Sequence, residues 1–409
     1  MLRIADGTRT ERDQMTGIRV ARHIHSIFGL MMAGGLAVAA LSPGQSWAES
    51  PIDADIATIG SIGPGGGGHA EAVVAAKRLR NAGVEHLPEI LNAMDDANPI
   101  AMNWYRGIVA DVVRRADRLP VGELIGFVGD LNNRPVGRAL AVELIRDADG
   151  DAAERLIAAS VDDPSLPLRE MAIARLLDLA DQAKQRKEEE QAERFLLDAL
   201  PFARQPTQLK TIVDRLEDMG VDVSLADSFC MIRKWSLVGP FNNVGGVGFD
   251  TAYGPEAEFT ANGSVDLNAK HEGKNGPVTW HDVQADSDDG TVDIAKDLDK
   301  EKGAVAYLWA TFNSPSAIDI QARLSCVTAN KVWINGRQVM ANEVYHSGSA
   351  IDQYIGDAQL QQGQNVILLK ICQNEQTQSW AQDWEFQFRL TDRNGKGLKS
   401  QAPNTEGTR

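Results

Sequence analysis

The hydrophobic period of this chain changes once, and that change limits what it can fold into. From about Glu71 to Gly220, apolar residues recur at helical spacing and β-branched runs are rare, which predicts an all-helical half. After Phe229 the period falls to two. "SAIDIQARLSC" alternates, and "WEFQFRL" places Trp384, Phe386, Phe388 and Leu390 on one face. "VAYLWATF" and "VILLKIC" read as strands buried on both sides. Turn signals punctuate them: "NSPS", "NG", "QQGQN" and "RNGKG". Asn335-Gly336 suits a two-residue type I′ hairpin, because both central residues need positive φ. The expected fold is therefore multidomain: an all-α helical-repeat half over 71–225 and an all-β antiparallel sandwich over 229–398.

Within the helical half, "HLPEILNAM", "ELIGFVGDL" and "AERLIAASV" each read as an amphipathic helix followed by a second one. The loops between them repeat an acidic turn, a proline near a helix start and then Arg138 or Arg169 ahead of Ala141 or Ala172. The loops start at Asp95, Asp130 and Asp162, 35 and 32 residues apart. The pattern resembles HEAT-type repeats, best at Asp162 to Leu177 and more loosely at Asp130 to Leu144. Trp104 stands where the first copy would carry its arginine. Glu188 to Leu200 and Thr207 to Met219 are expected to form a last pair, with Gly220 as a C-terminal cap. The run "KQRKEEEQAER" reads as a solvated helix face.

Residues 1–48 have the layout of a secretory signal: Arg19 and Arg22, the apolar run Ile27 to Leu41, then small Ser46 and Ala48 at the cleavage positions. That run has 15 residues, short of the roughly 20 a spanning helix needs. Met15 would give a more compact signal. Residues 49–70, with the glycine-rich Gly63 to His69, are expected to be a flexible lead-in, because no Lys-Ser or Lys-Thr follows the glycines as a phosphate loop requires. Residues 399–409 are expected to be a disordered tail. Removing five arginines and three acidic residues with the signal takes the formal charge from −16 to −18. So acidic a surface argues against nucleic-acid or anionic-membrane partners. Cys230, Cys326 and Cys372 lack metal-ligand spacing. Cys326 is expected to face a core, with a Cys326–Cys372 bridge as the alternative.

The strand half carries a second resemblance. Trp333, Asn335 and Gly336, then Leu360, Gly363 and Asn365, then Ile367, Leu369 and Ile371 form a Trp-x-Asn-Gly turn, a Leu-x-x-Gly-x-Asn turn and an apolar strand. Together they resemble galactose-binding-like jelly rolls, in particular the sugar-binding domain of family 2 glycoside hydrolases. The segment "IRKWSLVGPFNNVGGVGFDTAYGPE" looks like the start of such sandwiches in large exported bacterial proteins that carry helical repeats in front. The resemblance implies a fold; domains of the class bind glycans in some proteins and serve as structural neighbours in others.

A glycan site needs exposed aromatic faces flanked by amides and carboxylates. The loop "NEVYHSGSAIDQYIG" offers Tyr345, His346, Asp352 and Tyr354, and "QNEQTQSWAQDW" offers Gln373, Asn374, Trp380 and Asp383. Both follow strands and are expected to meet at one end of the sandwich, unless Trp380 and Tyr354 only cover its core edge. Trp235, Trp309, Trp333 and Trp384 lie in strand patterns and are expected to be core, with Trp280 at core or rim. "DSDDGTVD" reads as an acidic turn, since its glycine falls one place early for a helix-loop-helix calcium loop. His271 and His281 lack a third ligand for zinc. Asp250 and Glu256 are the one carboxylate pair worth weighing for glycosidase chemistry. No Gly-x-Ser-x-Gly, His-Glu-x-x-His or Walker loop is present.

The expectation is an exported, non-enzymatic protein without cofactor or metal. Its sandwich would contact cell-surface or extracellular polysaccharide, and its repeat array would offer a surface to a protein partner. The alternatives are a protein-interaction scaffold with no glycan ligand and an accessory or degenerate glycoside hydrolase.

Overall fold

A computed structural model describes residues 52–94 and 98–401. The expected signal (1–48), Asp95, where the first of the similar loops is expected to start, and residues 402–409 of the expected tail lie outside the described residues. The helical half comprises α1 (Asp53–Gly60), α2 (His69–Leu79), α3 (Leu87–Asn92), α4 (Pro99–Arg115), α5 (Val121–Gly129), α6 (Pro135–Ala148), α7 (Gly150–Ala158), α8 (Leu166–Gln185), α9 (Glu189–Ala199), α10 (Pro206–Asp218) and α11 (Leu225–Phe229). Proline opens α4, α6 and α10 at positions where its missing N–H costs nothing. Asn98, Asp149 and Ser165 accept from the first-turn amides of α4, α7 and α8.

The two arginines of the repeat signature are buried and act alike. Arg138 donates Nε to the Val128 carbonyl at the end of α5 (2.8 Å) and its two terminal nitrogens to Asp163 (2.8 and 2.7 Å). Arg169 donates to the carbonyls of Asp163 and Asp162 (2.9 and 2.8 Å). Each satisfies orphan acceptors in the turn before its own helix, and Asp163 ties one helical pair to the next. Trp104 makes none of these bonds and instead packs edge-on to His69, 5.5 Å between ring centroids. Gly137 lets α6 approach α3: a Cβ there would lie 2.1 Å from the Leu91 carbonyl oxygen. Gly220 ends α10 at φ +80°, with the Val221 amide bonded back to Leu216 (3.0 Å), as a C-terminal glycine cap requires.

Two expectations need correction. The lead-in contains α1, which buries Ile59 completely, because Ile52, Ile59 and Ile62 supply a small apolar face for α2 and α4. The expected tail begins ordered: the Gln401 amide bonds to the Asn313 carbonyl (3.0 Å), and Ser400 Oγ accepts from the Asn313 amide (2.9 Å).

The second half comprises β1 (Lys234–Asn242), α12 (Gly254–Asn262), β2 (Lys270–Gly273), β3 (Gly276–Thr279), β4 (His281–Gln284), β5 (Val292–Asp293), α13 (Ile294–Asp297), β6 (Ala304–Ser314), β7 (Ile318–Cys326), β8 (Ala329–Ile334), β9 (Arg337–Asn342), β10 (Tyr354–Leu360), β11 (Gly363–Gln373) and β12 (Glu385–Thr391). A six-stranded sheet, β4-β1-β6-β11-β8-β9, faces a four-stranded one, β10-β7-β12-β5, and β2 pairs with β3. All pairings are antiparallel. Leu308, Ile367, Leu369 and Ile371 meet Ile320, Leu324, Phe386, Phe388 and Leu390 between the sheets. The other face of the large sheet buries Val238, Phe241, Val305, Tyr307, Trp333 and Leu368 beneath Phe249 and Phe259 of the segment after β1. Hence β6 and β11 are apolar on both sides. Trp235, Trp333 and Trp384 are core, whereas Trp309 is only half-buried.

Asn335 and Gly336 take φ +51° and +80°, the values a type I′ turn requires. Asn335 also clasps the second motif. Its Nδ2 donates to Asn365 Oδ1 (2.8 Å) and its Oδ1 accepts from the Val366 amide (3.0 Å). Asn365, fully buried, donates to the carbonyls of Gln361 (2.8 Å) and Gly363 (3.0 Å). The motif therefore joins two turns of the sheet. Cys326 faces the inter-sheet core and Cys372 the opposite face of the large sheet, so the two thiols lie in different layers and both are free.

One buried charge holds the outer layer in place. Lys370 Nζ, fully buried, donates to Glu256 Oε2 (2.8 Å) and to the carbonyls of Phe249 (2.8 Å) and Thr251 (2.9 Å). Tyr307 donates to the same Glu256 oxygen (2.8 Å). Lys370→Met strands a buried carboxylate and is expected to cost about 3–5 kcal/mol in urea unfolding. Adding Glu256→Gln should restore most of it; a single variant within about 1 kcal/mol of the parent would show that the layer does not need the pair.

Candidate ligand-binding loops

The loops after β1, β9 and β11 leave the sandwich at the same end, next to the strand starts of β6 and β8. Asn243, fully buried, knits them. Its Nδ2 donates to Tyr345 Oη and to the Gln373 carbonyl (3.0 Å each), and its amide donates to the Gly303 carbonyl (2.8 Å). The Gly303 amide in turn donates to the Asn374 carbonyl (2.8 Å). Glu375 accepts from the Gly245 amide. Gln373, also buried, donates Nε2 to the Asp383 carbonyl (3.1 Å), which fixes the far end of the β11–β12 loop.

On this frame His346 meets the β11–β12 loop. Its Nε2 lies 3.0 Å from Asn374 Oδ1, and its ring stands edge-on to Trp380, 5.2 Å between centroids at 88°. Trp380 is 60% exposed, the most exposed aromatic residue among the described large hydrophobics. Lys302 Nζ holds the base of its turn through the Ala381 carbonyl (2.7 Å). Burial draws the Lys302 ammonium below its ordinary pKa, with Asp383 opposing. Burial pushes the Tyr345 phenol up to about 12, and the bond from Asn243 works against it. Tyr345 therefore stays neutral across ordinary pH. The result is an open platform: one indole face, an imidazole edge, and the amides and carboxylates of Asn374, Glu375, Gln376 and Asp383.

Of the six residues expected to bind glycan, His346 and Trp380 come together, exposed Asp383 lies on the loop of Trp380, and Tyr345 is half-buried against the core on the outer face of the large sheet with its hydroxyl bonded to Asn243. Tyr354 is half-buried against the inter-sheet core, its hydroxyl 3.4 Å from Ser347 Oγ. Asp352 lies elsewhere and is already engaged. Its Oδ1 accepts from Arg389 Nε (2.7 Å), and its Oδ2 from Arg323 Nη1 (2.7 Å) and Arg389 Nη2. Its side chain is 6% exposed, on the outer face of the four-stranded sheet where Ile351 packs against the helical half. Asp352 thus fixes Arg389, whose Nη1 reaches the Phe229 carbonyl at the end of the helical half (3.4 Å). Asn243 and Lys302 were missed by sequence; the only available signal is a polar residue placed directly at an apolar strand's end.

The other candidates are also accounted for. Glu256 is held by Lys370 and Tyr307, and Asp250, exposed, pairs with Lys331 (3.3 Å). In the acidic turn, Asp289 Oδ1 accepts from Ser287 Oγ (2.7 Å) and the Thr291 amide (3.1 Å), Asp293 caps α13 (3.1 Å), and Asp286 pairs with Lys296 (2.5 Å). Among the described residues, no group of three or more His, Cys, Asp or Glu is placed to hold a metal ion, and no helix is long and apolar enough to cross a membrane.

No protein-family model and no curated protein matches the chain. Among solved structures, it is similar to a family 35 carbohydrate-binding module from an environmental isolate (15% identity, 24% of this chain and 72% of that one, TM-score 0.18). It is similar to the PA14 domain of the antifreeze protein MpAFP (14% identity, 25% and 55%, TM-score 0.19). It is also similar to a β-glucosidase from Kluyveromyces marxianus (10% identity, 51% and 34%, TM-score 0.22). The chain spans 32% and 36% of the length of two anti-sigma factor domain-containing proteins that it also matches. At TM-scores this low, the likenesses decide nothing about the chain.

Burial alone would raise the Asp352 pKa, but Arg389 and Arg323 hold it below the usual carboxylate value. A depressed folded-state pKa contributes stability that is fully present above about pH 4, the unfolded value, and is lost as pH falls through the folded one. Asp352→Asn is expected to lower stability at pH 7 by about 3–5 kcal/mol, since two buried guanidinium groups lose their counter-charge. It should also flatten the decline below pH 4, read by denaturant melts across pH. An unchanged acid limb would remove Asp352 from the account.

Proposed function

We propose that the chain is an exported, non-enzymatic protein whose β-sandwich binds carbohydrate through the loop platform around Trp380. The helical half, with its HEAT-like pattern, would offer a surface to a protein partner. One observation carries the glycan reading: Trp380 is 60% exposed on a turn that Lys302 holds through the Ala381 carbonyl, with the His346 edge against its ring and the Asn374 amide 3.0 Å from that imidazole. A large apolar face left in water beside groups that can both donate and accept is what a pyranose ring requires, with its apolar C–H face and ring of hydroxyls. The open shape suits the surface of a polymer better than a single enclosed sugar. The non-enzymatic part draws support from Glu256, whose carboxylate is committed to Lys370 and Tyr307. Export rests on the signal pattern of residues 1–48 alone.

The test is a glycan array with the intact chain, followed by titration of any hit. Trp380→Ala should weaken binding at least tenfold while leaving the unfolding free energy unchanged within about 0.5 kcal/mol, because the indole is mostly solvated. No binding at millimolar sugar, together with recovery of a specific protein by the helical half, would replace this reading with the scaffold one.

A further inference from the structure

The segment after β1 covers only part of the outer face of the large sheet. Val238 and Tyr307 lie beneath it, but two residues along each strand, toward β4, the same face opens into a cavity of about 580 Å³ lined by Ser236 and Trp309. The β6 sequence reads as buried on both sides, yet Trp309 is only half-buried. Its indole packs in part against the cluster around Tyr307, and its Nε1 is buried, so the part left open to the cavity is hydrocarbon. Strand register brings polar side chains to that surface. Asp282 on β4 stands directly opposite Ser236 on β1, and Ser236 directly opposite Trp309; in the next row of the same face Gln284 stands opposite Lys234. Directly opposite residues have Cβ atoms about 5 Å apart, so the row from Asp282 to Trp309 spans about 10 Å.

These groups are within reach of a ligand. Lys234, Asp282 and Gln284 are exposed, Ser236 and Thr311 are half-buried, and all five line the cavity with Trp309. Ser236 Oγ donates to Asp282 Oδ1 (3.0 Å), which orients the carboxylate and leaves Oδ2 open. Lys234 Nζ and the Gln284 side-chain amide have no partner among the described residues. One ammonium and one carboxylate balance each other, so the face favours neither sign of charge, while its amide and hydroxyls can both donate and accept. We propose that this sheet face is a second carbohydrate site that takes a neutral pyranose unit of an oligosaccharide. The sugar's C–H face lies on Trp309, its hydroxyls donate to Asp282 Oδ2, and Lys234 and Gln284 donate to its oxygens. The cavity volume falls within the roughly 300–1,000 Å³ of small-ligand sites. The site stands apart from the loops around Trp380: they gather at the Ala304 end of β6, and Trp309 lies five residues further on, about 17 Å along the strand.

Saturation-transfer NMR on the full chain tests this, with cellohexaose, xylohexaose, mannohexaose and laminarihexaose as separate titrants. Trp380→Ala first removes the loop platform; at least one hexasaccharide should still bind saturably, more weakly than the parent chain binds its tightest ligand. Adding Asp282→Ala and Gln284→Ala, both exposed and so of little weight in folding, should weaken that remaining binding at least tenfold. Trp309→Ala in the same background should remove it, with denaturant melts showing that the chain is folded. Hexagalacturonate, which brings a carboxylate on every sugar toward Asp282, should bind more weakly than the neutral hexasaccharides. No saturable binding to Trp380→Ala, or binding that Asp282→Ala with Gln284→Ala leaves unchanged, overturns the site. Tighter binding of hexagalacturonate overturns the neutral ligand. The two carbohydrate sites are read separately: if Trp380→Ala alone abolishes binding, the platform stands and the sheet-face site falls, and if only Asp282→Ala with Gln284→Ala abolishes it, the reverse holds.

Discussion

The buried ammonium of Lys370 is the constraint from which the arrangement of the sandwich follows. It stands in the middle of β11, on a largely apolar face of the large sheet with a second lysine, Lys331, directly opposite on β8, and an unpaired charge there would cost several kcal/mol. Glu256 and the carbonyls of Phe249 and Thr251 answer it, so the segment between β1 and α12 can cover the sheet in only one position. That position also sets Asn243, which directly follows β1. From there its amide reaches Tyr345 and the end of β11. The geometry of the exposed platform is thus inherited from a buried pair on the strand that leads into it.

What the sequence made legible was what its local pattern determines. The change of period separates two kinds of backbone, and proline and glycine mark the helix ends because their φ values and missing donors act within one or two residues. The Asn-Gly turn could be read for the same reason. Its partner could not: Asn335 binds Asn365 and Val366, which lie 30 and 31 residues on, so the clasp exists only once β8 and β11 are paired. The motif marks the fold because it holds two turns together, not because it touches a ligand.

The errors have the same origin. Asp352 lies in an irregular, polar loop and looks like a free hydroxyl acceptor, but Arg323 and Arg389, 29 and 37 residues away, are brought to it by the pairing of β7 with both β10 and β12. Glu256 is 114 residues from Lys370. Composition cannot distinguish a solvated carboxylate from a paired one, because the difference lies in strand register. His346 and Trp380 could be found because their loops leave the same end of the large sheet, from β9 and β11 on either side of β8, so an irregular stretch after each strand was enough to place them together.

The junction between the halves differs in kind from the two cores. Helical and sheet cores are closed by Leu, Ile, Val and Phe, which tolerate small displacements. Across the junction, Arg389 lies under the Phe229 ring, 4.9 Å from its centroid, and reaches Asp352. A backbone bond runs from the Ala226 amide to the Asp288 carbonyl. Charge-assisted and backbone hydrogen bonds lose strength steeply when their angle or distance changes, so such a seam fixes orientation more tightly than an apolar one of equal area. The same choice of residues has a cost. Arg323 and Arg389 are neutralised by one carboxylate between them, while Arg204 approaches from the helical side with Asp392 as its opposing charge. A seam built this way depends on Asp352, because removing that one carboxylate leaves both guanidinium groups unbalanced.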